Sequence, residues 1–194
     1  MSLHRLSRRQ VIAAATLAAA GLARAQAFPS RPVKLILPQP PGGAADRLAR
    51  LLGERLEARW KQSVVVENRP GGGVVVGTQA VARAAPDGHT IGLLGSSLTI
   101  NAVQRKDLPY ELKDLQPLVR IGYYTVGLLA HASFPATDMK SLIALVRSQP
   151  PKKYSYGSNG IGTSAHVAGE MLNHMAGIDI QHVPYNGAAK MYTD

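Results

Sequence analysis

Two glycine-rich stretches carry the residue types that hold an anion. Residues 40–46 (PPGGAAD) put two adjacent glycines behind a proline pair, and residues 157–164 (GSNGIGTS) mix three glycines with hydroxyl and amide side chains. Glycine lets a backbone bend inward and present consecutive N–H groups. A helix that begins just after such a turn adds unpaired donors and partial positive charge. A carboxylate held by four or five charge-assisted bonds, each worth about 1.5–3 kcal/mol net, reaches micromolar affinity, about −8 kcal/mol. The competing reading of each stretch is an ordinary strand-to-helix turn in which Asp46 or Thr163 only caps the helix. Two such loops, one in each half of the chain, favour a shared cleft.

Other chemistries fail on spacing. Residues 71–77 (GGGVVVG) are one residue too long for the dinucleotide pattern G-x-G-x-x-G, and no acidic residue ends a strand about 20 residues later. No lysine follows either loop in the phosphate-binding arrangement. His166, Glu170 and His174 fall four residues apart on one helical face. That row spans about 12 Å along the axis, so its ends cannot meet at one metal ion. Ser96, Ser97 and Ser164 lack the G-x-S-x-G elbow. No nucleophile is poised beside a base, so neither catalysis, a metal nor a cofactor is expected.

The elements that position these loops alternate. Val33–Leu37 reads as a buried strand, residues 45–60 as a helix with Leu48, Leu51, Leu52 and Leu56 on its apolar face, and 64–67 as a second strand. Residues 75–85 read as a helix and 90–94 as a strand. That β-α-β-α-β order predicts a parallel sheet covered by helices. A second block is expected from about residue 125: strand 126–130, helix 138–148 behind an Asp cap, strand 154–156, helix 163–176 and strand 180–184. Both glycine loops then lie at the carboxyl ends of strands, where open α/β sheets bind ligands. The polar segment 101–116 is the expected linker. Residues 186–194 look like the opening of another helix, so the sequence reads as cut short.

The N-terminus carries an export pattern. His4, Arg5, Arg8 and Arg9 precede an apolar run over residues 11–23, followed by small-x-small sites at Ala23-Arg24-Ala25 and Ala25-Gln26-Ala27. This is a secretory signal with cleavage near Ala25 or Ala27, too short to span a bilayer, which needs roughly 20 residues. Arg8-Arg9 fits a twin-arginine route as well as the general one. The chain has 194 residues and a net charge of +10. Without residues 1–25, 18 of its 22 basic side chains face 12 acidic ones, leaving about +6. Such a balance suits an anionic small molecule or membrane surface. Nucleic acid is excluded: no dense basic run occurs, aromatics are 5% and the protein is exported. The absence of cysteine rules out disulfides and thiol chemistry.

Seven segments in order carry a family resemblance: 28–33 (FPSRPV), 38–46 (PQPPGGAAD), 64–73 (VVVENRPGGG), 85–90 (APDGHT), 108–110 (LPY), 158–166 (SNGIGTSAH) and 182–185 (HVPY). The mature chain resembles the substrate-binding proteins of tripartite tricarboxylate transporters, the Bug family. The resemblance implies an α/β fold, a two-lobed periplasmic-binding-protein-like clamshell with mostly parallel sheets. Its lobes would be 26–124 and an incomplete 125–194 behind the signal 1–25. It implies capture of a small carboxylate in the periplasm and delivery to the membrane components of the transporter. Carried onto this chain, the ligand would meet Pro41, Gly42, Gly43, Ala44 and Asp46 of the first loop and Ser158, Gly160, Gly162, Thr163 and His166 of the second. Ser96 and Ser97 would line the cleft wall.

The chain departs from the family pattern at three points. Gln39 stands where an aromatic residue is usual, Asn186 stands where lysine is common, and family members are longer. An unfinished sheet is expected to expose an edge and apolar surface. The alternative function is an exported interaction or sensor-partner protein with no transport role.

Overall fold

A computed structural model describes residues 27–194. The export signal expected over residues 1–25 lies outside the described residues. Six elements build the first unit: β1 (Val33–Leu37), α1 (Ala44–Trp60), β2 (Val64–Asn68), α2 (Val75–Ala82), β3 (Thr90–Gly92) and α3 (Ser97–Gln104). A 3-10 turn at Leu112–Asp114 follows. The second unit has α4 (Met139–Arg147), β4 (Ser155–Ser158), α5 (Ser164–Ala176), β5 (Gln181–Pro184) and α6 (Ala188–Thr193).

β1 lies between β2 and β3, and both pairings are parallel. A central parallel strand is covered on both faces, which is why β1 is a nearly unbroken apolar run with only Lys34 exposed. Val33, Leu35 and Leu37 form the core with Ala49 of α1 and Val64 of β2. The expected apolar stripe of α1 is rotated: Ala45, Ala49, Leu52 and Leu56 pack on the sheet, while Leu48 and Leu51 are exposed. Small residues cause the rotation. A side chain at Gly53 would already press on Val66, at 3.3 Å, so the helix lies close along its Ala49–Gly53 face. β4 and β5 form a separate two-stranded parallel sheet. α4 begins at the expected Asp138 cap, whose carboxylate accepts the Ser141 N–H at 2.7 Å.

Two expectations are corrected. Residues 126–130 form no strand: they lie in a stretch without regular structure, with Leu128 and Leu129 exposed. A strand exists by pairing, and no described residue pairs with this one. Residues 101–116 are not a free linker. They hold the end of α3 and the 3-10 turn, with Asn101 and Tyr110 buried. Polar composition misled here, because Asn101 uses its amide inside the fold. The helix expected near the end of the chain is α6.

Candidate functional site

The first loop runs from β1 into α1. Gly42 takes the left-handed conformation (φ +89°), which a side chain would strain. Gly43 caps α1 with no side-chain hydrogen bond, so the first helical N–H groups meet no capping side chain. Pro41, Gly42, Gly43 and Ala44 are exposed, and a side chain at either glycine would meet nothing within 4 Å. The backbone therefore faces open space.

Asp46 does something different. It is buried with its carboxylate turned back into the loop. It accepts the Gly42 N–H at 3.0 Å, two bonds from Arg50 at 3.1 Å and the Asn68 amide at 2.9 Å. The Gly42 bond first, then Arg50 and Asn68, hold its carboxyl at about 2, against an ordinary 3.8. Asn68 also donates to the Gln39 carbonyl at 3.0 Å. This network fixes the loop and uses the Gly42 donor. A depressed carboxyl stabilises the fold fully above its ordinary value and loses that contribution as pH falls toward its native value. The stability gap between wild type and Asp46→Asn should therefore narrow from pH 3.8 to about 2. A gap constant across that window in acid-unfolding scans would show that charge does not hold the loop.

The second loop is also tied internally. Ser158 is fully buried; its Oγ lies 2.7 Å from His182 Nε2 and accepts the Gly160 N–H at 3.2 Å. Thr163 caps α5: its Oγ1 accepts the His166 N–H at 3.4 Å and donates to the Gly160 carbonyl at 2.7 Å. His166 Nδ1 accepts the Gly162 N–H at 3.3 Å, and its ring lies 4.2 Å from that of His182. Burial, then His166 nearby, pushes His182 below the ordinary imidazole value. Gly160 and Gly162 both have positive φ, at +125° and +79°. Ser158 beside His182 is a hydroxyl–imidazole pair, but the serine is buried and already bonded within the loop, and His182 is only half-buried. Glu170 accepts the Tyr156 hydroxyl at 2.6 Å. Among the described residues no three His, Cys, Asp or Glu side chains gather to hold a metal.

The two units meet along a seam. A side chain at Gly73 would come within 2.1 Å of the Ile161 carbonyl oxygen, so the first unit touches the second loop backbone to backbone. Fully buried Asn101 donates to the Gly73 carbonyl at 2.8 Å and the Ser97 carbonyl at 2.7 Å. Its Oδ1 abuts Gly162. Gly187, ahead of α6, packs on Pro40 of the first loop. Ser97 is buried, whereas Ser96 is exposed and reaches Ser164 Oγ at 2.8 Å. Gly73, Asn101 and Tyr124 were absent from the expected site, whereas Ser164 closes the expected second loop. The three consecutive glycines were the only signal for Gly73, and nothing local marks Asn101 or Tyr124. A surface hollow of about 310 Å³ lies elsewhere, lined by Ala102, Arg105 and Tyr110 among others, and shares no residue with either loop.

Comparison with known proteins bears on the family and the fold. Residues 48–194 match the family model described as "Tripartite tricarboxylate transporter family receptor". A UPF0065 protein of Bordetella pertussis is 42% identical over 184 residues, 94% of this chain and 56% of its own length. The solved periplasmic binding protein BugD superposes with a TM-score of 0.73 at 32% identity, over 86% of this chain and 56% of that one. An R. palustris protein solved with adipate superposes with a TM-score of 0.70 at 30% identity, over 86% and 56%. The chain thus spans about half the length of the relatives it matches, and its mixed α/β fold with parallel sheets is that of periplasmic binding proteins. With its family segments in order, its fold matched and the family model covering residues 48–194, the chain belongs to the tripartite tricarboxylate transporter receptor family.

Proposed function

We propose that this chain is the ligand-capturing part of a periplasmic solute-binding protein, holding a small carboxylate between the loops of residues 38–46 and 157–164. The observation that carries this reading is the first loop: an uncapped 17-residue helix opens at Gly43, behind two exposed glycines that face open space. A helix N-terminus with free donors and room beside it suits a carboxylate. The second loop is held rigid by its own bonds, and a rigid donor set loses little entropy on binding. The adipate seen in a structural relative fits the same ligand class.

The division into lobes 26–124 and 125–194, the periplasmic location and delivery to the transporter's membrane components belong to this proposal. So does a role without catalysis, which the burial of Ser158 and its bonds within its own loop support. The test is thermal unfolding of the purified chain with and without millimolar mono-, di- and tricarboxylates. A ligand that binds only the folded state raises the midpoint, by about 2.7 kcal/mol of stabilisation at a hundred times its dissociation constant. A cooperative transition that no acid moves would sink the carboxylate reading.

A further inference from the structure

The outer face of α1 carries a pattern that the sheet beneath it does not explain. Arg47, Leu51, Arg55 and Arg59 fall four residues apart, so they form one row about 18 Å long along the helix axis. Leu48 stands beside the row. All five are exposed, Leu48 at 42% and Leu51 at 52%, because α1 turns Ala45, Ala49, Leu52 and Leu56 to the sheet instead. The acids of the helix lie elsewhere. Glu54 and Glu57 line a small hollow with Arg50 and Val64 on the β2 side, and Asp46 is paired with Arg50. Among the described residues, Arg47, Arg55 and Arg59 meet no carboxylate. Like charges four residues apart destabilise a helix, so the Arg55–Arg59 spacing costs the fold rather than supporting it.

We propose that this row is a docking surface for a protein partner whose facing patch is acidic around an apolar centre. The inference stands apart from the carboxylate reading above and does not depend on either glycine loop. Charge complementarity sets the sign of the partner. Guanidiniums with no acid between them attract carboxylates, and each can hold one through two parallel bonds. Leu48 and Leu51 decide the class of the partner. Protein interfaces enclose an apolar centre in a polar rim and are enriched in arginine, whose methylene stem adds to the apolar contact. An anionic lipid surface fits less well. A helix lying in a membrane surface buries a broad apolar face, and the broad apolar face of α1 is already packed on the sheet. The two exposed leucines are too few for insertion, and lipid phosphates have no use for them.

The probe is a synthetic helical peptide with glutamates at i, i+4 spacing and leucines between them, titrated by fluorescence anisotropy against the purified exported chain. Wild type is expected to bind it, more weakly as salt is raised. Arg55→Glu and Leu51→Ser each lower that affinity about tenfold or more and keep the melting midpoint, since both side chains are exposed. Lys153→Glu makes the same change of charge on an exposed residue of the second unit and leaves binding unchanged. The docking surface is overturned if the peptide does not bind, or if Lys153→Glu weakens it as much as Arg55→Glu. Equal binding of a peptide with serine in place of every leucine would reduce the face to a general polyanion contact and overturn it too. Capture by phosphatidylglycerol vesicles that needs Arg55 but not Leu51, and that the peptide does not displace, would make the face a membrane contact instead.

Discussion

Gly43→Val is expected to lower carboxylate affinity at least a hundredfold while the unliganded protein stays folded. Gly43 sits at φ −81°, ψ 175°, extended backbone that any residue adopts, and a side chain there meets nothing within 4 Å. The fold therefore does not need glycine at this position. Its cost is the weaker N-cap propensity of valine, about 1 kcal/mol. The isopropyl group instead fills the space beside the helix start and separates a ligand from its donors. Losing two charge-assisted bonds of about 1.5–3 kcal/mol each is a hundredfold or more in affinity. Calorimetric titration with the best-binding acid, beside a thermal melt of the empty protein, reads the two effects separately. Near-wild-type affinity would place the ligand away from this loop.

The largest effect on stability is expected at Gly73. Alanine there must hold a left-handed conformation (φ +64°), costing about 1–2 kcal/mol. It must also fit a carbon where the Ile161 carbonyl oxygen is only 2.1 Å away. That neighbour is backbone, so relief requires the seam to open, and a total near 2–4 kcal/mol follows, in the range of severe single substitutions. Gly122 is the control: a side chain there meets nothing within 4 Å, and Gly122→Ala should stay within about 0.5 kcal/mol. Denaturant midpoints compare the pair. A loss at Gly73→Ala of only about 1–2 kcal/mol relative to Gly122→Ala, the conformational cost alone, would mean that the seam is open in solution.

The two mutations also mark what sequence reasoning could reach. Both loops were legible because glycine behind a buried strand and ahead of a helix is a local pattern, and β1, β2, α1 and α5 follow from local apolar spacing. The role of Asp46 was only half legible. Its position near a helix start and four residues before Arg50 is visible in sequence, but its bond to Asn68 depends on β2 lying beside β1. Asn101 was misread for the same reason. A polar residue in a polar segment reads as solvated until the fold places the Gly73 carbonyl beside it. Residues 126–130 show the converse, since strand composition is local and a strand's partner is not.

The strand pairings also set an order of assembly. β1 pairs with β2 and β3, β4 pairs with β5, and no pairing crosses between the sheets. The described strands of each sheet thus come from one continuous stretch of chain, and contacts close in sequence form early because little loop entropy opposes them. The Gly73–Ile161 approach and the Asn101 bridge near Gly162 join residues far apart, so they form last. During synthesis the β1–β3 unit can be folded before residue 155 exists. The two glycine-rich loops are then brought together only after both sheets have formed.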